Sequence, residues 1–257
     1  MNFSGISNET ALGRLLRSPL RLIPGNTVVP ILQGRLRGKK WIVGSSSHGC
    51  WLRSYEHRKR LLFEKTVVEG GCVFDVGANV GFYTLLASVI VGAGGSVFAF
   101  EPAPSNVAYL REHLRLNEVR NVEVFEVAVS DHEGQEHFEL GGHNTLGRLS
   151  ASGQLVVNCA RLDEMSARYG FRAPDMMKID VEGAELAVLQ GASRLLAASH
   201  PAIFLATHGA EVHGECCRLL RGLGYVLESI EGGGVEESSE LIALAGNSSL
   251  ERPGSEN

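Results

Sequence analysis

Residues 73–81, VFDVGANVG, leave the chain few choices: a short apolar strand runs into a glycine turn and out into a helix. Gly77 permits a sharp turn off the strand, and Gly81 lets the next helix pack close to the sheet, so the helix N-terminus faces a ligand. The glycines are spaced G-x-x-x-G around Asn79, unlike the G-x-G-x-x-G of dinucleotide folds. Asp75, two residues before the first glycine, would repel a pyrophosphate. It suits the cationic sulfonium and amino group of S-adenosylmethionine, directly or through water. A turn that uses glycine for geometry alone is the competing reading.

About two dozen residues on, residues 96–100, SVFAF, read as a second strand ending in Glu101-Pro102, and Pro104 opens a helix at its first turn. Glu101 therefore stands at a strand's carboxyl end, where an acid accepts hydrogen bonds from ribose hydroxyls. Residues 176–191, MMKIDVEGAELAVLQG, read as strand four entering a long helix. Alternation sends Lys178 and Asp180 to one side, and the switch in strand order brings Asp180 near the end of strand one. Glu182 and Glu185 equally suit a helix start, where acids favour the dipole. Strand five, residues 202–206, ends in Thr207-His208-Gly209. A histidine there can remove a proton from a substrate hydroxyl, or serve as an ordinary hydrogen-bonded residue. Asp180 and His208 are thus the candidate bases, with Lys178 orienting an acid or the substrate.

The rest of the chain frames this site. Alternating strands and helices over 257 residues, 44% of them hydrophobic, predict an α/β domain with a covered, mostly parallel sheet. Its third strand is expected over residues 122–129. Residues 134–162 read as two short strands around the loop GGHNTLGRLSASG, whose His143, Asn144 and Arg148 are surface or substrate-facing. Residues 1–60 carry eleven Lys or Arg against Glu9 and Glu56, a balance of +9, so the remainder carries −14 to reach the formal total of −5. They read as a basic extension with a small hairpin and a lead-in helix, ahead of a domain over 61–246 and a disordered tail over 247–257. Aromatics are not interleaved with the basic residues, which argues against nucleic-acid binding. Five cysteines without a C-x-x-C pair, no membrane-length apolar run and no secretion signal predict a cytoplasmic protein.

In VFDVGANVGFYTLLAS, FEPAPSNVAYLREHLRLN, AVSDHEG and KIDVEGAELAVLQGA, taken in order, the chain resembles the FkbM family of S-adenosylmethionine-dependent methyltransferases. The resemblance implies a Rossmann-like class I methyltransferase fold, with seven strands, the last antiparallel, and helices on both faces. It implies O-methylation of a sugar, glycolipid or natural-product hydroxyl. Cofactor roles carry over to Asp75, Gly77, Asn79, Gly81 and Glu101, and Tyr55 and Glu56 in the lead-in close over the cofactor. Thr207 departs from the family pattern, which carries an acid before the histidine. Methyl transfer is expected in line, at about 3–3.5 Å from the attacking oxygen. Asp180, Glu182 and His208 suit a divalent ion chemically, but their spacing demands none, and no metal is expected. A nicotinamide-dependent oxidoreductase and a non-catalytic methyltransferase-like module are the rival readings.

Overall fold

The computed structural model describes residues 22–52, 56–141 and 147–246. The tail expected from 247 lies outside the described residues. A hairpin opens the described chain, β1 (Val28–Pro30) pairing antiparallel with β2 (Lys40–Ile42), followed by α1 (Gly49–Leu52) and α2 (His57–Thr66). The hairpin and α1 are not loosely attached. Trp41, Cys50 and Trp51 are buried in one apolar cluster with Phe63, Phe82, Tyr83 and Leu86 of the domain behind them.

Seven strands form the main sheet: β3 (Cys72–Val76), β4 (Ser96–Phe100), β5 (Val122–Phe125), β10 (Met176–Ile179), β11 (Ala202–Ala206), β12 (Tyr225–Ser229) and β13 (Glu240–Ala245). Their order is β12-β13-β11-β10-β3-β4-β5, and β13 alone runs antiparallel to its neighbours. The expected seven-stranded sheet with its last strand reversed is therefore present. Every residue of β3 and β10 is buried, as central strands covered on both faces require. Around the sheet stand α3 (Phe82–Val91), α4 (Pro104–Leu116), α5 (Leu162–Tyr169), α6 (Glu185–Gly191), α7 (Ser193–Ser199) and α8 (Ala210–Gly222). All five cysteines are free and buried. Among the described residues no helix is long and apolar enough to cross a membrane.

Two expected elements differ. The third strand does not run through residue 129: it leaves the main sheet after Phe125. Its partner β4 ends at Phe100, and after Glu101 donates its N–H to Phe125 O at 3.1 Å, Pro102 has no N–H with which to extend the ladder. Ala128–Val129 (β6) instead pairs with β9 (Leu155–Ala160). With β7 (Gly134–Leu140) and β8 (Gly147–Leu149) they form a second sheet in the order β6-β9-β7-β8, three strands where two were expected in residues 134–162. The helix after strand four is also shorter than expected: α6 opens only at Glu185, ends at Gly191, and is followed directly by α7. Asp163 on α5 accepts the N–H groups of Arg194 and Leu195 at 3.1 and 2.9 Å, which starts a new helix there.

Candidate active site

The glycine turn is held from both sides by backbone. Gly77 and Ala78 N–H each reach Phe100 O at 3.0 Å, tying the turn to the end of β4. Gly77 has φ 75°, and a Cβ there would meet Asp180 O at 1.9 Å, so both backbone angle and space demand glycine. Gly81, at φ 92°, passes Leu110 of α4 so closely that a Cβ would meet Cδ1 at 2.3 Å. Asn79 sits at φ 52°, its side-chain oxygen accepting the Val80 N–H at 2.6 Å.

Glu101 closes this end. It is 5% exposed; Oε2 accepts Asn79 N–H at 2.8 Å, and Oε1 accepts Ala103 N–H at 3.0 Å and Asn106 Nδ2 at 3.1 Å. Burial pushes its carboxyl above the usual range despite those donors. Asp75 lies deeper, at 1% exposure: Thr84 donates to Oδ2 at 2.6 Å, and Lys178 Nζ stands 3.5 Å from Oδ1, which accepts no hydrogen bond. Thus Gly77, Asn79 and Glu101 line one cavity of about 970 Å3, while Asp75 sits beneath it, screened by Lys178. Gly81 acts behind it, by letting α3 approach α4.

The same cavity runs on to Lys178, Asp180, Glu182, His208, Glu240 and Glu56. Lys178 Nζ donates to Gly77 O at 2.7 Å and lies 3.7 Å from Asp180 Oδ2. Lys59, 4% exposed on α2, lies 2.9 Å from Glu240, 3.4 Å from Glu56 and 3.6 Å from Asp180. Burial pulls the Lys59 ammonium down, yet Asp180, Glu56 and Glu240 together hold it above its ordinary value. Burial likewise raises Asp180, but Lys178 and Lys59 outweigh it and keep the carboxyl low. Tyr83 donates to Glu56 at 2.8 Å. Tyr55, the other residue expected to close over the cofactor, lies outside the described residues, as do His143 and Asn144. Arg148 is exposed and paired with Glu139 at 3.2 Å, while its neighbours Gly147 and Leu149, with Phe138, carry the second sheet to the cavity wall.

His208 stands two residues past β11, exposed and flanked by two carboxylates. Glu185 meets Nδ1 at 2.8 Å and Glu182 meets Nε2 at 3.3 Å. The hydrogen bond to Glu185 comes first among the causes that hold the imidazole above its ordinary pKa; burial opposes it and Glu182 adds to it. Glu182 has φ 56° and is followed by Gly183 at φ 106°. Burial raises its carboxyl. Nothing in the sequence marks Lys59, Glu185 or Glu240 as site residues: Lys59 hides in the run RKR, which reads as basic surface, Glu185 reads as a helix-start acid, and Glu240 ends an acidic loop.

The residues fit a sulfonium nucleoside. Through the contacts above, six carboxylates (Glu56, Asp75, Asp180, Glu182, Glu185, Glu240) are linked to two lysines and one histidine, so this end favours added positive charge. Glu101 offers carboxylate oxygens at the opposite end, and the cavity volume is at the upper end of the roughly 300–1,000 Å3 typical of ligand sites.

The strand order with its reversed last strand, and a cavity over the carboxyl ends of β3, β4, β10 and β11, define a class I methyltransferase. Within that class the chain belongs to the FkbM methyltransferase family, whose domain model matches residues 75–227. It is 31% identical over 198 residues to the 31-O-demethyl-FK506 methyltransferase FkbM of Streptomyces tacrolimicus, a match covering 62% of this chain and 74% of the relative. It is 30% identical over 147 residues to the hexuronic acid methyltransferase AglP of Haloferax volcanii, covering 56% of this chain and 59% of that one. The crystal structure of methyltransferase FkbM from Methylobacillus flagellatus KT shares the fold, with a TM-score of 0.50 at 15% identity over 77% of this chain and 55% of the other.

Proposed function

We propose that this chain binds S-adenosylmethionine and methylates a hydroxyl on a sugar, glycolipid or natural product. The observation that carries the reading is the continuity of one cavity from Glu101 and the glycine turn to His208, with the acid-rich lysine network between them. The printed activities of the two relatives, on an O-demethyl natural product and on a hexuronic acid, support the acceptor class.

In this reading Glu101 takes the ribose hydroxyls, and the turn from Gly77 to Asn79 brings backbone against the nucleoside. Asp75 acts through Lys178 instead of touching the ligand directly. When bound, the cofactor supplies an electrophilic methyl group on a sulfonium, which leaves as a neutral thioether. Lys178 and Lys59 keep Asp180 ionised, so that it favours positive charge nearby and holds the acceptor end in place. Asp180 is a poor base for the same reason. His208 is the better one, because Nε2 meets the cavity-lining Glu182 and the carboxylates around the imidazole hold it above its ordinary value.

Calorimetry with S-adenosylhomocysteine and NADH, followed by labelled-methyl transfer to sugar, lipid-linked and polyketide hydroxyls, tests the reading. Binding of the first alone, with label recovered as a methyl ether, is expected. Binding of NADH alone would replace it with the oxidoreductase reading, and cofactor binding without transfer would favour a non-catalytic module.

A further inference from the structure

Glu185 is fully buried on the first turn of α6, at 0% side-chain exposure. Its Oε1 accepts from His208 Nδ1 at 2.8 Å and from Gly183 N–H at 2.9 Å, while Oε2 has no hydrogen-bond partner. A buried carboxylate is unfavourable without an opposite charge, and packing alone is better served by an apolar side chain of similar volume. Nor does the helix start need charge, since a glutamine oxygen accepts the Gly183 N–H equally well. What a charge at this position does, and a neutral acceptor does not, is stabilise an imidazolium at His208.

The two carboxylates on His208 are unlike. Glu182, on Nε2, is one-third exposed, lines the cavity and sits in left-handed backbone beside a glycine, so an entering acceptor can displace it. Glu185, on Nδ1, is enclosed and stays. We propose that Glu185 is a positioning residue: by accepting the Nδ1 proton it fixes the tautomer and ring plane that leave Nε2 bare toward the acceptor hydroxyl. This rests on the hydroxyl-methyltransferase reading above. As the acceptor O–H bond breaks, its proton passes to Nε2, and the imidazolium is held by Glu185 until the proton is returned to water. The charged groups facing His208 are Glu185 from α6, Glu182 from the β10–α6 loop and Asp180 from the end of β10, the last already paired with Lys178 and Lys59.

The test uses the full chain and two variants, Glu185→Gln and Glu185→Asp. Long-range proton–nitrogen NMR of labelled histidines, across about pH 5–9, reads tautomer and titration without any acceptor. In the wild type His208 is expected to carry its neutral-form proton on Nδ1. In Glu185→Gln the titration midpoint should fall by about one pH unit. With an acceptor from the labelled-methyl panel, kcat should fall about 10–100-fold and its pH limb move down with the midpoint. Acceptor KM and S-adenosylhomocysteine affinity should stay within about twofold, and Glu185→Asp should regain part of kcat. An unchanged midpoint and tautomer in Glu185→Gln overturns the proposal. So does a loss of kcat that tracks cofactor affinity and melting temperature in both variants, which would make Glu185 structural. Asp180, Glu182 and His208 place ligand atoms within 4.8 Å of one another, so a third overturning result is defined. If a chelator abolishes activity and Mn2+ restores it, Nε2 is a metal ligand and not a base. If the wild type methylates no hydroxyl, the functional reading falls while the NMR result still decides whether Glu185 sets the tautomer.

Discussion

The two ends of the cavity are built from different chemistry. At the glycine-turn end, backbone N–H groups and one carboxylate satisfy each other over short distances: Glu101 alone receives three donors, from Asn79, Ala103 and Asn106. At the His208 end, side-chain charges from α2, β10, the β10–α6 loop, α6, β11 and β13 meet across up to 181 positions of sequence, as in Lys59 with Glu240. The first end is specified by conformation and the second by charge balance, so they should fail differently when altered.

Substituting Gly77 by alanine should give the largest effect. The new Cβ would collide with Asp180 O in backbone that disfavours it, so a loss above about 4 kcal/mol and no S-adenosylhomocysteine binding are expected, read by urea unfolding and calorimetry. Retained stability would break the contrast. Next comes Lys59→Met, which leaves Glu56, Asp180 and Glu240 facing one another without their shared cation. About 3–5 kcal/mol of stability should go, measured the same way, and a further Glu240→Gln should return part of it.

A third, comparable effect belongs to His113, which ties the hairpin to the turn. Its Nδ1 donates to Val80 O at 2.8 Å, its Nε2 accepts the Ile42 N–H at 3.1 Å, and the ring stacks on Trp41 at 3.8 Å. Because Nε2 accepts in the neutral ring, Nδ1 is the donor to Val80. Burial lowers its pKa from 6.5 to about 4. The unfolded chain therefore binds this proton first as pH falls. Stability from a neutral His113 is complete above pH 6.5 and is lost as pH drops toward 4, by about 3 kcal/mol. Unfolding of wild type and His113→Gln at pH 7 and 4.5 checks this: the variant should be weaker at the higher pH and less acid-sensitive. The smallest effect is expected from Glu101→Gln. It loses charge toward the ribose and turns an amide –NH2 toward a donor that Oε1 or Oε2 now accepts, and should weaken S-adenosylhomocysteine binding about 10–100-fold while costing about 1–2 kcal/mol in unfolding.

The turn end was legible because its constraints lie within a few residues: glycines at two fixed positions, an acid before them and an acid-proline step at the next strand's end. The mostly parallel sheet follows from the alternation of elements, its seven strands with the last reversed from the family resemblance, and the candidacy of Asp180 and His208 from their strand ends. The division of the third strand was not legible, since Val127 and Val129 continue a strand pattern and only Pro102, on the partner, stops the ladder. Nor was Lys59, whose burial depends on carboxylates supplied by Glu240 and Asp180 far along the chain. Asp75 reads from sequence as a partner for the cofactor's cationic groups, whereas its pairing with Lys178 follows from the register Lys178↔Asp75 between β10 and β3, which spacing alone does not reveal.

The departure of the chain from the main sheet at Phe125 has an outcome of its own. Phe138, Gly147 and Leu149 wall the cavity from strands that share no ladder with the seven. Substitutions at Phe138 or Leu149 can therefore reshape that wall without altering a register of the sheet that carries the glycine turn.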